Sequence, residues 1–262
     1  MKSEEFKCEE FKCEAFASAI KRYLDKHGFE ALCPKAVLFD MDGVLYDSMP
    51  NHAVAWQESM RMFSIDMTRH DAYATEGQRG VDTIRQMALR QQGRNISMDE
   101  AQAMYEVKSH LFHLMPPAPM MPGAHQLMRR LRAAGLAVCV VTGSGQRPLI
   151  ERLKRDYGDC IDEQHIVTAY DVEHGKPAPE PYLKGLEKCG GLNPWEAMVV
   201  ENAPLGVEAA VAARIFTICV NTGSLPVELF VQRQADVIVD SMMQLNEGQW
   251  SDDCWFTRMS SR

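Results

Sequence analysis

Short apolar segments alternate with amphipathic stretches along most of the chain. From residue 35 onward, apolar runs predict six strands, at 36–40, 136–142, 165–169, 197–201, 215–220 and 236–239. Helical patterns separate these runs, and such alternation is typical of a parallel sheet with helices on its faces. The pattern therefore predicts an α/β fold with a parallel sheet core.

The interval from about 50 to 118 breaks this rhythm. Apolar residues recur there at helical spacing, as in Trp56, Met60 and Phe63, and none of its segments has a convincing strand pattern. A proline-rich run at 116–119 then ends the helical region, because proline cannot continue a helix. We therefore expect a helical cap at 50–118, inserted into a catalytic core formed by 31–49 and 119–262.

The pattern of apolar residues in 1–30 predicts an amphipathic helical extension. This extension begins with a short duplication. The segment Glu-Glu-Phe-Lys-Cys occurs twice, at 4–8 and at 9–13. A five-residue repeat drifts around a helix of 3.6 residues per turn, so it does not form a long coiled-coil seam. We expect this helix to pack on its own domain or on a second subunit, which leaves an oligomer open.

Composition narrows the classes of partner. The chain has 262 residues and a formal net charge of -8, so it lacks the overall basic character expected of a protein that binds nucleic acid or an anionic membrane surface. Its apolar stretches fall short of the roughly 20 residues of a spanning helix, and its first residues lack the apolar core of a signal peptide. These features predict a cytoplasmic protein.

Candidate chemistry begins at the end of the first predicted strand. Asp40 and Asp42 lie two residues apart in Asp-Met-Asp-Gly-Val-Leu, and Gly43 marks a bend that lets both carboxyls converge. Because two close, buried carboxylates repel each other, the pair favours a divalent cation between them. By itself the motif is weak, since Asp and Gly also form ordinary turns and calcium loops.

Other polar segments follow later strands, where open parallel sheets place their ligands. Thr142, Gly143 and Ser144 lead into a helix, whose N-terminus suits a phosphate group. Lys176, in a proline-stiffened loop, supplies a positive charge for the same anion. Glu201 and Asn202 offer oxygen ligands of the kind that Mg²⁺ prefers.

These four segments, in this order, resemble the motifs of the haloacid dehalogenase superfamily of phosphohydrolases. The position of the cap resembles the branch that contains β-phosphoglucomutase, and the resemblance covers roughly residues 35–240. It implies a Rossmann-like core, a Mg²⁺ cofactor and a small phosphorylated substrate. It also implies that Asp40 is the nucleophile, that Asp42 is the general acid and base, and that Thr142 and Lys176 hold the phosphoryl group.

The chain departs from that branch at two positions. The last motif usually has two acidic residues, but here it is Glu201-Asn202, so one ligand charge is missing. In the cap, Glu76 takes the place of a lysine that grips the distal phosphate of a sugar bisphosphate. A carboxylate there would repel that phosphate, whereas it could complete the charge around a metal. The alternative is that Glu76 caps the end of a helix in the inserted domain, or that it faces solvent.

Two further candidate site residues, His52 and Arg79, each have two possible roles. His52 resembles a histidine that mutases of the branch keep near the hinge, where it would help to position Asp42, or it is a hydrogen-bonding residue at a helix start. Arg79 holds the leaving phosphate or is a solvated loop charge.

The sequence thus predicts a Mg²⁺-dependent phosphohydrolase that works through an aspartyl phosphate. If Glu76 reaches the metal, the closed site has little room, and inorganic pyrophosphate is the sharpest candidate substrate. The alternatives are a phosphosugar mutase of the β-phosphoglucomutase type and a catalytically weak phosphate-binding module.

Overall fold

A computed structural model describes residues 14–145, 147–223 and 225–247 of the chain. Its sheet has six parallel strands, in the spatial order β3-β2-β1-β4-β5-β6. The strands are β1 (Ala36–Phe39), β2 (Ala137–Val141), β3 (Ile166–Val167), β4 (Ala197–Glu201), β5 (Phe216–Val220) and β6 (Val237–Val239). This confirms the predicted α/β fold with a Rossmann-like parallel core.

Helices surround the sheet and build a separate layer above one end of it. In chain order they are α1 (Glu14–His27), α2 (Met49–Met62), α3 (Arg69–Ala74), α4 (Gly80–Gln92), α5 (Met98–His113), α6 (Ala124–Ala133), α7 (Arg147–Tyr157), α8 (Glu180–Lys188), α9 (Pro204–Ala212), α10 (Glu228–Gln232) and α11 (Met242–Glu247). Helices α2 to α5 fall between β1 and β2, which is the interval predicted to form the cap.

The register of the central strands brings three loops together. Leu38 of β1 lies between Cys139 of β2 and Val199 of β4, and all three side chains are buried. The strand order reverses at β1, and ligands of such sheets bind in the crevice beyond the carboxyl ends at this point. The residues that follow β1, β2 and β4 therefore face one crevice.

The third strand is shorter than its pattern predicts, at two residues instead of the run 165–169. The reason is a side-chain cap: Asp171 accepts hydrogen bonds from the backbone N–H and the hydroxyl of Thr168, both at 2.8 Å. This turn directs the chain away from the sheet directly after Val167.

Two linkers, the first at 44–48 and the second at 118–122, join the cap to the core and pair with each other. The N–H of Met121 donates to the carbonyl of Leu45 at 2.8 Å, and the N–H of Asp47 donates to the carbonyl of Pro119 at 3.0 Å. Cap and core also share an apolar cluster, in which Tyr73 of α3 packs with Leu225 and Phe230. The structure is thus one in which the cap lies closed on the core, while the domain boundaries given above stay a prediction.

The described part of the N-terminal extension is α1, and it packs on the core of its own chain. Ile20 and Tyr23 are buried, and the Tyr23 hydroxyl donates to the carbonyl of Arg214 at 2.9 Å. The duplicated segment lies outside the described residues, and a role of this helix in an oligomer stays a prediction. None of the described helices is long and apolar enough to cross a membrane; a cytoplasmic location also stays a prediction.

Candidate active site

Asp40 and Asp42 lie where β1 ends, on a turn held tightly by its neighbours. The backbone N–H of Asp40 donates to Val200 of β4 at 3.0 Å, and the turn closes through Gly43, whose N–H donates to Tyr46 at 2.7 Å. Gly43 has a φ of 82°, and a Cβ there would lie 2.1 Å from the Asn202 side chain. Only glycine allows this conformation and this close approach, so the turn and the last motif are locked together.

Lys176 reaches into the same crevice and is 2% exposed. Its Nζ donates to Asp40 Oδ1 at 2.5 Å and to Glu201 Oε1 at 2.6 Å, and also to the carbonyl of Val141 at 3.2 Å. Lys176 is therefore a buried member of the site and not a solvated loop lysine.

Glu201 uses both carboxylate oxygens on donors from the protein. Oε1 accepts from Lys176 and from the hydroxyl of Tyr182, while Oε2 accepts from the backbone N–H groups of Asn202 and Ala203 at 2.7 and 2.8 Å. This arrangement argues against the prediction that Glu201 is a direct metal ligand. Its geometry instead suits a carboxylate that holds the ammonium of Lys176 in place.

Burial and crowded charge set the ionisation of this cluster. Burial opposes the charge of Lys176, but the adjacent Asp40 and Glu201 outweigh it and raise the pKa of the lysine above its usual range. Burial raises the pKa of Asp40 to about 8; Lys176 lowers it, while Glu201 and Asp42 raise it. One ammonium thus serves several carboxylates, which leaves an excess of negative charge in the crevice.

This excess provides a test of whether the residues fit Mg²⁺. Asn202 Oδ1 is buried and has no hydrogen-bond partner among the described residues. Burial, followed by the charges of Asp42 and Asp40, raises the pKa of Glu76 to about 8. Repelling carboxylates beside an unpartnered amide oxygen form the hard, anionic donor set that suits this cation.

The loop after β2 lies across the crevice from Asp40. Thr142 is buried, and its Oγ1 accepts from the N–H of Ser144 at 3.0 Å, so its own proton can be donated elsewhere. The loop of Gly143 and Ser144 continues toward α7, as the sequence predicts for a phosphate-binding loop. The cap loop covers it, because a Cβ on Gly143 would lie 3.5 Å from the carbonyl of Gly77.

Glu76 belongs to that cap loop, just after α3, and it is half-buried. The next residue, Gly77, lies so close to the core that a Cβ there would come within 3.2 Å of the Lys176 side chain. The charges of Asp40 and Asp42 also reach Glu76, as its raised pKa reflects. Glu76 therefore lies near the carboxylates of the crevice and is only partly exposed to solvent.

Lys108 is a buried lysine of the cap that lies near Asp42, the candidate general acid and base. The sequence motifs did not identify it. It is 3% exposed, and its Nζ lies 5.0 to 5.8 Å from the ring centroids of Trp56, Tyr105 and Phe112. Its Nζ also lies 2.8 Å from His52 Nδ1. Such an aromatic cage stabilises an ammonium group through cation–π attraction.

His52 links Lys108 to Asp42. An ammonium group can only donate, so His52 Nδ1 accepts from Lys108 and Nε2–H points at Asp42 Oδ1, 3.3 Å away. The same Oδ1 accepts from the hydroxyl of Ser48 at 2.6 Å. Burial opposes the charge of Asp42, but these partners outweigh it and lower its pKa, whereas burial and then Lys108 lower the pKa of His52.

A signal for Lys108 exists in the sequence. The buried residues of α5 are Ala101, Met104 and Lys108, which follow one another at helical spacing on one face. A charge on an otherwise apolar stripe is costly unless it has partners, so it indicates a site.

Arg79 lies at the rim of the crevice, where its hydrogen bonds are with residues other than Asp40 and Asp42. Its Nε donates to Asp82 at 2.7 Å, and its Nη1 donates to the carbonyl of Glu173 at 3.4 Å. These contacts tie the cap loop to the core, and the side chain is 45% exposed, which agrees with a loop charge in solvent; a role in holding the leaving phosphate stays a prediction.

Comparison with known proteins agrees with this geometry. Residues 34–214 match the profile of the haloacid dehalogenase-like hydrolases, and the chain belongs to this family. The predicted family is therefore confirmed.

Individual relatives include phosphatases and mutases. A solved structure of a Bacteroides vulgatus protein, provisionally named a β-phosphoglucomutase, has a TM-score of 0.87 and 42% identity, covering 95% of this chain and 99% of that one. Hexitol phosphatase A of Escherichia coli is 29% identical over 80% of this chain and 93% of its own length. The β-phosphoglucomutase of Bacillus subtilis is 23% identical over 79% of this chain and 92% of its own length.

Proposed function

We propose that this protein is a Mg²⁺-dependent phosphohydrolase that forms an aspartyl phosphate on Asp40 and acts on a small substrate, inorganic pyrophosphate. The observation that supports the proposal is the position of Glu76 in the cap loop beside Gly77, which closely approaches Lys176, together with the pKa of Glu76, which burial and then the charges of Asp42 and Asp40 raise to about 8. Catalysis of phosphoryl transfer depends mainly on positioning and on stabilisation of charge. The residues around Asp40 can supply both.

In the first half-reaction, an oxygen of Asp40 attacks phosphorus and the bond to the leaving group breaks. The negative charge of the bound substrate would raise the lowered pKa of Asp42, so that this carboxyl carries the proton that it gives to the leaving oxygen. Lys176 and Thr142 hold the oxygens of the transferred group, and Glu201 keeps Lys176 charged and aimed at Asp40. These contacts stabilise charge where it develops.

In the second half-reaction, Asp42 removes a proton from water, which attacks phosphorus and releases Asp40 as a carboxylate. Ser48 and His52 hold Asp42 Oδ1 in position for both steps. When bound by Asp40, Asp42, Asn202 and Glu76, Mg²⁺ would reduce the repulsion between the anionic nucleophile and the anionic substrate.

Size and charge are the arguments for pyrophosphate as the substrate. The cap loop contacts the core at Gly77, so the closed space suits a compact substrate. Glu76 would repel the distal phosphate of a sugar bisphosphate, whereas the charge of pyrophosphate is compact and would be offset by a cation held near Asp40. Lys108 adds positive charge on the cap side.

The relatives favour a second candidate function, which is either the hydrolysis of phosphosugars or the transfer of their phosphoryl group by a mutase. Hexitol phosphatase and β-phosphoglucomutase are named for such substrates. A catalytically weak binding module is less consistent with the chain, because Asp40 and Lys176 are both present and in contact.

Turnover of pyrophosphate and hexose phosphates by the wild type and Glu76→Ala separates these candidates. We expect the variant to lose at least about tenfold of its pyrophosphatase activity and to need more Mg²⁺, because a ligand charge is removed. Glu106→Ala, which changes an exposed carboxylate of the cap, is the matched control. Unchanged pyrophosphatase activity in Glu76→Ala would refute the ligand role, and a wild type that prefers hexose phosphates would favour the second candidate.

A further inference from the structure

Arg152 of α7 makes three contacts at the base of the cap. Its Nη2 donates to the carbonyl of Ala118 in the second linker, and its Nε donates to Asp156 at 3.1 Å. Its guanidinium also lies 4.4 Å from the ring centroid of Tyr46, which belongs to the first linker. The side chain is 19% exposed, so these contacts are largely shielded from water.

Tyr46 connects this contact to the turn that carries Asp42. Its hydroxyl donates to Asp156 at 3.1 Å, its backbone N–H donates to Met41 at 3.1 Å, and its carbonyl accepts from Gly43 at 2.7 Å. Tyr46 also pairs with Met120 of the second linker. One side chain, Arg152, thus touches both linkers and the residue that closes the turn of Asp42.

The helix that carries Arg152 also begins at the phosphate-binding loop. Helix α7 starts at Arg147, shortly after Gly143 and Ser144, and its Tyr157 donates to the carbonyl of Leu45 in the first linker. A rigid helix therefore spans the distance from the loop after β2 to the base of the cap.

We propose that Arg152 is a positioning residue that clamps the two linkers and so fixes the closed cap relative to Asp42. Its guanidinium is suited to this task because it is planar, always charged, and can donate and stack at the same time. The cap residues near the reacting centre are placed through these linkers, and a displacement of about 1 Å can cost about 100-fold in rate. The catalytic part of this inference rests on the proposed function.

Hydrogen exchange tests the clamp without any turnover. In Arg152→Ala, we expect amides in peptides spanning 44–48 and 118–122 to exchange at least about fivefold faster, while a peptide spanning 197–201 is unchanged. The matched control is Arg155→Ala, because Arg155 binds the same Asp156 at 3.0 Å from a side chain that is 72% exposed. Arg152→Lys retains the charge but not the planar group that donates and stacks at the same time, and we expect it to restore only part of the protection.

Steady-state assays with pyrophosphate and p-nitrophenyl phosphate supply the second readout. We expect Arg152→Ala to lower kcat about tenfold with a smaller change in KM, because closure and not encounter is impaired. Unchanged exchange in the linkers, or faster exchange with unchanged kcat, would overturn the inference. If the wild type hydrolysed neither substrate, the proposed function would fail, and the exchange comparison would still decide whether the clamp exists.

Discussion

The core and the cap each bury one lysine at the candidate active site, and they treat its charge in opposite ways. Lys176 of the core lies between Asp40 and Glu201, which raise its pKa despite its burial. Burial lowers the pKa of Lys108 of the cap to about 8, and Glu76 and Asp42 offset only part of this effect. Aromatic rings and His52 surround Lys108 instead of paired carboxylates.

This difference separates two kinds of electrostatic support. A lysine between two carboxylates stays charged throughout the neutral range, as expected of a group that holds a phosphoryl oxygen in every cycle. Lys108 is buried among aromatic rings and has a pKa of about 8, so the fraction of it that is charged changes near neutral pH. We infer that the core provides constant charge and that the cap provides charge that depends on conditions.

The largest effect is expected from Asp40→Asn, which tests the core half. Turnover should fall by at least about 10³-fold, because the amide cannot form the phosphoryl ester. Phosphate release with pyrophosphate is the measurement, and circular dichroism checks that the fold is intact. Activity retained in the purified variant would exclude covalent catalysis through this residue.

A smaller loss is expected from Lys108→Met, which tests the cap half. Activity should fall about 10- to 100-fold, because a hydrogen bond with a charged group contributes about 1.5–3 kcal/mol. Lys108 is protonated below its pKa and loses its charge above it, so the wild-type rate should decline above about pH 8.

The pH profile of kcat/KM is the decisive readout for that variant. We expect the decline near pH 8 to be missing in Lys108→Met and present in Arg61→Met, which removes an exposed cation of the same cap. If the decline persisted unchanged without Lys108, the contrast between the two lysines would have no catalytic meaning.

The smallest effect is expected from Asn202→Asp, which adds a negative charge to the core side of the site. The substitution adds an anionic ligand, so half-saturation by Mg²⁺ should require about tenfold less metal. In a Glu76→Ala background, the same substitution should recover part of the lost metal affinity. Isothermal titration with Mg²⁺ measures both, and equal affinities in all variants would mean that neither residue binds the cation.

The core was predictable from sequence because its signals are local. Asp40, Thr142 and Glu201 each follow a continuous apolar run, and parallel strands bring the residues after their carboxyl ends to one edge. The strand positions were therefore sufficient to predict the confirmed fold. The site roles of these residues are still predictions, and the geometry argues against the predicted role of Glu201 as a metal ligand.

The rest depended on tertiary contacts that a pattern does not reveal. The charge of Lys108 on an apolar stripe indicates a site, but the pattern does not reveal its partners His52 and Trp56, which come from α2. The carboxylate of Glu201 resembles a ligand until the donors from Lys176 and Tyr182 are seen. The third strand is short because a single side chain, Asp171, caps the turn after it.

The apolar cluster between cap and core gives the enzyme a thermal property. Tyr73 and Leu225 belong to this cluster, and any motion that separates the cap from the core brings hydrocarbon surface into contact with water. Such exposure increases the heat capacity, so we expect opening of the cap to follow a curved van 't Hoff plot. Cooling weakens this hydrophobic seal, and access to the crevice therefore becomes easier relative to closure as the temperature falls.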